Sequence, residues 1–256
     1  MKSTHSPFVS YIITTAAALS VVAAAASAEA GSITFSGSNG SLAAQVKFED
    51  VGNQLIVTLT NTSLADVLVP SNVLTGVFFD SSDVTLTRVS AVLAAGSVVF
   101  FGGTDPGNVV GGEWAYRTAS FAGVSQNSGI SSSGLGSLFG PPDRFPGNDL
   151  QSPTSPDGLQ YGITSAGDDL STGNTPVTGE HALIKNSVVF TLGGWNGGDV
   201  SLAEAISNIR FQYGTAIDEG DFRGIPDVHA PEPASMVLTG TGLLALARSI
   251  RRKKAA

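Results

Sequence analysis

Cysteine is absent from all 256 residues, which excludes a disulfide framework, a thiol nucleophile and thiolate metal ligands. Histidine is nearly absent. Of three, His5 stands near the amino terminus, His229 abuts the carboxyl-terminal segment, and only His181, beside Glu180, lies in the body of the chain. A lone imidazole in an expected loop reads as a surface residue rather than a general base. Despite 31 glycines, no Gly-x-Ser-x-Gly elbow occurs, so nothing marks a serine hydrolase. Basic residues are scarce as well: residues 31–230 hold seven Lys and Arg against nineteen Asp and Glu, a net charge of −12. Such a body repels nucleic acid, anionic lipid and acidic polysaccharide unless cations intervene, and nucleic acid is excluded as a partner. Sustained 3.6-residue periodicity is missing from the body. The nearest approach is Ser201-Leu-Ala-Glu204-Ala-Ile206, a capping-box pattern that opens one short helix. No repeat of 20–50 residues is visible, which argues against a solenoid.

What the body does contain is alternation. Ala44, Val46 and Phe48 share one face while Gln45, Lys47 and Glu49 share the other; Leu55, Val57 and Leu59 then alternate with Thr58 and Thr60. Asp50-Val-Gly-Asn53 supplies turn chemistry between the two runs, so a β-hairpin with one solvated face is expected. Asn39-Gly-Ser and Asn61-Thr-Ser match a glycosylation acceptor pattern but read as turn residues. Further strands are expected at Thr75–Asp80, Val84–Val92, Val98–Phe101, Glu113–Phe121, Leu159–Thr164, Ser187–Leu192 and Ile209–Tyr213, with Trp114, Tyr116 and Phe121 as core residues. Val, Thr and Phe enrichment with turn signals at strand-length intervals points to an all-β chain. The expected fold is a single antiparallel β-sandwich-like domain, jelly-roll or immunoglobulin-like, with long loops and spanning residues 29–230.

Two stretches lose all periodicity, Ser125 to Asp157 and Ala166 to Glu180, where Gly, Ser, Pro, Asn and Asp dominate. Loops this long in a compact domain carry function or lack order. Asp143, Asp149, Asp157, Asp168 and Asp169 fall in or beside them, with Asn148, and hard oxygen ligands on loops are what Ca²⁺ takes. Neither EF-hand nor calcium-repeat spacing is present, and acidic residues also populate loops for solubility and turn formation. Calcium therefore enters as a candidate ligand, with no other cofactor expected. Trp114 and Trp195 are the residues able to stack on sugars, with core or turn packing the competing reading, and Gly193-Gly-Trp-Asn-Gly-Gly198 reads as a turn. Carboxylates are numerous enough for a glycosidase-type pair, but the sequence shows no two converging, and no enzyme is expected.

The two ends differ from the body. Lys2 precedes an apolar stretch from Phe8 to Ala26, and Ala26-Ser-Ala28 forms a small-residue cleavage site, so residues 1–28 read as a secretory signal peptide. At the other end, Pro231 and Pro233 fix their own φ and push Ala230 and Glu232 towards extended backbone. An uncharged run from Ala234 to Ala247 follows, then Arg248, Arg251, Arg252, Lys253 and Lys254. Fourteen helical residues rise about 21 Å against a hydrocarbon core of roughly 30 Å, and counting to Ile250 gives about 25 Å. The basic cluster stays cytoplasmic by the positive-inside rule. A short transmembrane helix over 234–250 is therefore a brief inner-membrane anchor rather than a comfortable span. The match of Gly240-Thr-Gly-Leu-Leu-Ala245 to a loose dinucleotide pattern is noise, since no strand precedes it.

Pro231-Glu232-Pro233, the Gly- and Leu-rich run and the basic end together resemble the PEP-CTERM sorting signal, residues 231–256 here. That resemblance implies recognition and removal of the tail by an exosortase, with delivery to the cell surface or an exopolysaccharide matrix of the kind found in biofilms. The middle of the chain, including Phe211-Gln-Tyr-Gly-Thr215, is more loosely similar to exosortase-dependent surface proteins and implies no chemistry. Three functions remain open from the sequence: a structural or interaction component of surface or matrix, a calcium-dependent adhesin or carbohydrate-binding module, and an extracellular polysaccharide-active enzyme.

Overall fold

The alternation over residues 32–61 becomes a three-strand meander, β1 (Ser32–Asn39), β2 (Leu42–Val51) and β3 (Gln54–Asn61), fully antiparallel. Ala44, Val46, Phe48, Leu55, Val57 and Leu59 are all fully buried, and Gln45, Lys47, Glu49, Thr58 and Thr60 form the half-exposed opposite face. Period-2 alternation with one buried face fixes the register, because a one-residue slip would turn every phenyl and aliphatic group outward. The β2–β3 loop is two residues long, with Gly52 first at φ 66°, a backbone region that glycine enters without steric cost.

The computed structural model describes residues 31–82, 85–196 and 201–227. The cleavage residues Ala26 and Ala28, the Pro231-Glu232-Pro233 motif, the helix expected over 234–250 and the basic cluster Arg248 to Lys254 lie outside the described residues. Among the described residues no helix is long and apolar enough to cross a membrane.

Two sheets pack face to face in an all-β sandwich. The first runs β14 (Ile225–Pro226), β1, β2, β3, β11 (Ser187–Gly193), β5 (Thr87–Leu93). The second runs β13 (Asp221–Arg223), β12 (Ile206–Tyr213), β4 (Leu74–Ser81), β9 (Ile163–Thr164), β10 (Leu183–Lys185), β6 (Val98–Phe100), and β8 (Ser128–Ser131) also pairs with β4 and carries β7 (Ala115–Thr118) on its far side. Among the described residues all strand pairs are antiparallel except β9–β10, which run parallel; the second sheet is therefore mixed where a purely antiparallel one was expected. Phe48 of β2 meets Phe79 of β4 across the interface, with ring centroids 5.1 Å apart and planes at 66°. Trp114 meets Phe190 of β11 at 5.0 Å in the same edge-on manner. Each such pair adds about 0.5–1.5 kcal/mol beyond the burial of its area.

Several elements differ from expectation, each for a physical reason. The stretch 113–121 yields only β7, because a 3₁₀ turn over Gly111–Glu113 precedes it and the chain leaves the sheet after Thr118. Of residues 159–164 only the last two pair, since Tyr161 adopts φ 58° and breaks the extended run. The aperiodic segment 125–157 contains β8, and its Leu135 and Phe139 are buried with Phe121 against Phe78 on the outer face of β4. Likewise 166–180 contains a single helical turn, α1 (Thr175–Thr178), whose Val177 packs with Val67, Val73, Leu159 and Leu183. These segments have no regular hydrophobic period because they cover a sheet face rather than form one. The capping-box residues are in place: the Ser201 N–H donates to Glu204 Oε2 at 3.3 Å, and the Ser201 hydroxyl to the same oxygen at 2.9 Å, at the start of the one-turn helix α2 (Leu202–Ala205) that runs into β12.

The two faces of β2 give a direct test. Phe48→Ala should lower unfolding free energy by about 3–5 kcal/mol in urea denaturation, whereas Lys47→Ala, one residue away on the solvated face, should stay within about 0.5 kcal/mol.

Candidate functional site

Four carboxyls of the body, Asp66, Asp105, Glu113 and Asp168, accept hydrogen bonds from segments distant in the chain. Glu113 is fully buried although it is charged by nature. Its Oε1 accepts the backbone N–H of Leu150 and that of Gln151, the latter at 3.3 Å, and its Oε2 accepts the Ser155 hydroxyl at 2.5 Å. Burial pushes the carboxyl above its ordinary value of 4.5; the Ser155 and Leu150 donors pull the other way, and nearby Asp149 adds to the rise. Asp105 holds the same loop a few residues earlier, accepting the Asn148 N–H at 2.7 Å and its amide at 2.8 Å. Those two bonds keep its carboxyl below the usual range. The loop also lies close against the Gly111-Gly112 backbone: a Cβ on Gly112 would stand 1.8 Å from the Asn148 carbonyl oxygen. Tyr161 donates to the Gly103 carbonyl at 3.0 Å, and burial pushes its phenol up to about 12.

A second carboxylate pair ties the loop after β3 to residues 165–172. Asp168, 9% exposed, accepts the Val67 N–H at 3.1 Å through Oδ1 and the Thr164 hydroxyl through Oδ2. Asp66 accepts the Asp169 N–H at 2.9 Å and the Thr172 hydroxyl. Burial raises the Asp168 carboxyl above 3.8, and its contact with Asp66 raises it further. The Thr172 hydroxyl and the Asp169 amide lower Asp66. The two neighbouring carboxyls are thus pushed in opposite directions, Asp168 up and Asp66 down.

The five calcium candidates are dispersed over local roles. Asp143 accepts the Gly140 N–H at 3.0 Å and closes a 3₁₀ turn, with Arg117 3.9 Å away. Asp149 accepts the Ser155 N–H at 3.2 Å and lies 3.5 Å from Arg144. Asp157 lines a shallow groove beside Leu135, Phe139 and Thr215. Asp168 belongs to the pair with Asp66, and Asp169 accepts the Ser171 N–H and hydroxyl at 3.0 and 2.7 Å. Among the described residues no three His, Asp or Glu side chains are grouped so as to hold a metal ion. Trp114 and Trp195 are 0% and 4% exposed and belong to the core, so neither ring is available to stack on a sugar. His181 is half-buried between Glu180 and Ala182.

Sequence reasoning missed Glu113, Asp66 and Asp105. For Glu113 one signal was present: a single carboxylate inside the otherwise apolar run Val109-Val-Gly-Gly-Glu113-Trp-Ala-Tyr116. Each of these groups spends its lone pairs on amides and hydroxyls of a loop distant in the chain, which ties that loop in place. The described surface also carries shallow grooves of about 400, 410 and 420 Å³. No protein-family model, characterised protein or solved structure matches this chain.

Two substitutions separate charge from hydrogen bonding at Glu113. Glu113→Gln keeps an acceptor for both amides and turns its own N–H towards the Ser155 hydroxyl, so stability should change by about 1 kcal/mol or less. Glu113→Ala leaves those donors without an acceptor and should cost about 3 kcal/mol by thermal or urea unfolding, with faster amide exchange at Leu150 and Gln151. The raised Asp168 carboxyl yields a pH signature. A raised carboxyl contributes stability below pH 3.8 that is lost as pH rises through the folded-state value. Asp168→Asn removes this loss, so its stability relative to the native chain should rise with pH from 3.8 upward; a difference independent of pH would refute the raised carboxyl.

Proposed function

We propose that this chain is an exported, non-enzymatic structural or interaction component of the cell surface or extracellular matrix, sorted and trimmed at its carboxyl end by an exosortase. The observation that carries the reading is the strict order at residues 231–256: two prolines flanking a glutamate, an apolar run too short to span lipid comfortably, and five basic residues. A signal-peptide pattern at residues 1–28 and the absence of cysteine agree with export.

The edge of the fold adds support. β14 pairs with β1 (Phe35 opposite Pro226, Ser36 opposite Ile225). The Asp227 N–H then donates to Thr34 O at 2.8 Å, and the Ser36 hydroxyl donates to the Asp227 carboxylate at 2.9 Å. Pro231 follows four residues later, a reach of at most about 14 Å. Cutting the chain at the motif therefore removes none of the described strands and leaves the described sandwich whole. An acidic body of net charge −12 also stays soluble and unattached to anionic lipid once the basic tail is gone.

Intact mass spectrometry of the protein purified from its own host tests this directly. The expected mass lacks the signal peptide and the carboxyl-terminal segment beyond the motif, and deletion of a host exosortase should leave a longer, membrane-retained form. Mature material that still carries Arg248 to Lys254 would sink the reading.

A further inference from the structure

Two asparagines of the chain stand directly before a glycine, Asn39 and Asn196. For Asn196 that glycine lies outside the described residues; for Asn39 the whole surrounding is described. Asn39 is the last residue of β1 and stands opposite Leu42 at the tip of the β1–β2 hairpin. Gly40 holds the first central position of this two-residue turn at φ 62°, where tight hairpins of type II′ take glycine. Residues 38–41 are all exposed, and a Cβ placed on Gly40 would meet nothing within 4 Å. Among the described residues neither the Asn39 side-chain amide nor the Gly40 N–H has a hydrogen-bond partner.

Other asparagines of the body lack one or more of these conditions. Asn61, which shares the glycosylation acceptor pattern with Asn39, is 1% exposed. Its Nδ2 donates to the Ile163 carbonyl at 3.0 Å and its Oδ1 accepts the Ser63 N–H at 3.1 Å. Asn127 accepts the Ser81 N–H and donates to the Ser81 carbonyl, both at 2.9 Å. Asn53 is exposed in the next hairpin, but there glycine precedes the asparagine and Gln54 follows it. The β2 side of the Asn39 turn is anchored: the Ser41 carbonyl accepts the Ser63 hydroxyl at 2.6 Å. The Ala43 carbonyl accepts the Thr62 N–H at 2.8 Å and the Tyr213 hydroxyl at 3.0 Å. None of these bonds involves Asn39 or Gly40.

We propose that Asn39 is a site of spontaneous self-modification, at which the chain converts its own side-chain amide to a carboxylate. The Gly40 nitrogen, its proton withdrawn by hydroxide, attacks Asn39 Cγ. The new C–N bond closes a succinimide ring, the bond from Cγ to the amide nitrogen breaks, and ammonia leaves with a proton returned from water. Water then opens the ring at one of its two carbonyls. One opening gives an aspartyl residue at position 39; the other gives an isoaspartyl link, in which the main chain runs through the side-chain carboxyl carbon. Overall one water is consumed, one ammonia is released and one negative charge is gained. Glycine is what the attack needs, since no Cβ crowds the closing ring. Asn39 must leave only the terminal pair of the ladder to react, and ladder ends open most readily. The anchored side of the turn keeps its bonds, so the sandwich persists while the acidic body, already at −12, becomes more acidic. The inference is independent of the export reading and stands or falls without it.

The test is incubation of the full chain at neutral and mildly alkaline pH, followed by anion-exchange chromatography and peptide mapping. A free peptide of residues 36–42 is kept under the same conditions as the chemical reference. The expected result is an isoform held more tightly by the anion exchanger, with aspartyl and isoaspartyl products at position 39. It should form faster at the higher pH, because the attacking nitrogen must lose its proton, while Asn61 and Asn127 keep their amides. Asn39→Gln, which would have to close a larger ring, should suppress that isoform and leave the unfolding midpoint unchanged. An intact Asn39 in the folded chain, once the free peptide has converted, overturns the proposal. Conversion confined to Asn196 overturns it too, as does an acidic isoform undiminished in Asn39→Gln, or a glycan occupying Asn39 in protein from its own host.

Discussion

Phe48 and Phe79 meet edge to face in the middle of the sandwich, one from each sheet, and the layer they anchor is what makes the other features possible. With no disulfide to restrain the chain, the two sheets are held together by apolar burial, about 1.5–3 kcal/mol for each large side chain fully removed from water. That layer is continuous: Phe35, Leu55, Val57 and Leu59 from the meander meet Val77, Ile163, Ile184 and Phe211 from the second sheet. The sheets then offer a rigid frame on whose surfaces long, glycine-rich loops are laid.

The loops stay in place by a different kind of force. Glu113 and Asp105 gather the amides of residues 148–151, and Asp66 and Asp168 do the same between residues 66–67 and 169–172. A carboxylate inside the protein is costly unless its lone pairs are filled, and here the donors come from loop backbone that would otherwise lack partners itself. Each pairing solves two desolvation problems together. The acidic composition, which from the sequence resembled a reservoir of metal ligands or a solubility device, is in part a set of internal fasteners.

This division explains what the sequence made legible. The meander was readable residue by residue because period-2 alternation reports directly on one buried face. Trp114 and Tyr116 were readable as core for the same reason. β10 and β14 were not, because strands of two or three residues contain too few positions to show a period, and β9 was read as the end of a longer strand over 159–164. Phe139 and Leu135 sit in a run of Gly, Ser and Pro whose pattern says turn, and their burial against Phe78 depends on a distant strand. The hydrogen bond from Gln126 to the Asn208 carbonyl was equally hidden, since the two stand 82 positions apart in the chain.

The seam between β1 and β14 has a mechanical meaning. The strands are antiparallel, so the start of β1 and the end of β14 emerge side by side from the same end of the seam. Tension applied between these two ends is borne first by Asp227 and then by two strand residues in sequence, peeling them open one bond at a time rather than shearing them all together. Such a seam yields at low load and spares the sandwich behind it. The domain is thereby fitted with a short length of slack that is released before the aromatic layer feels any strain.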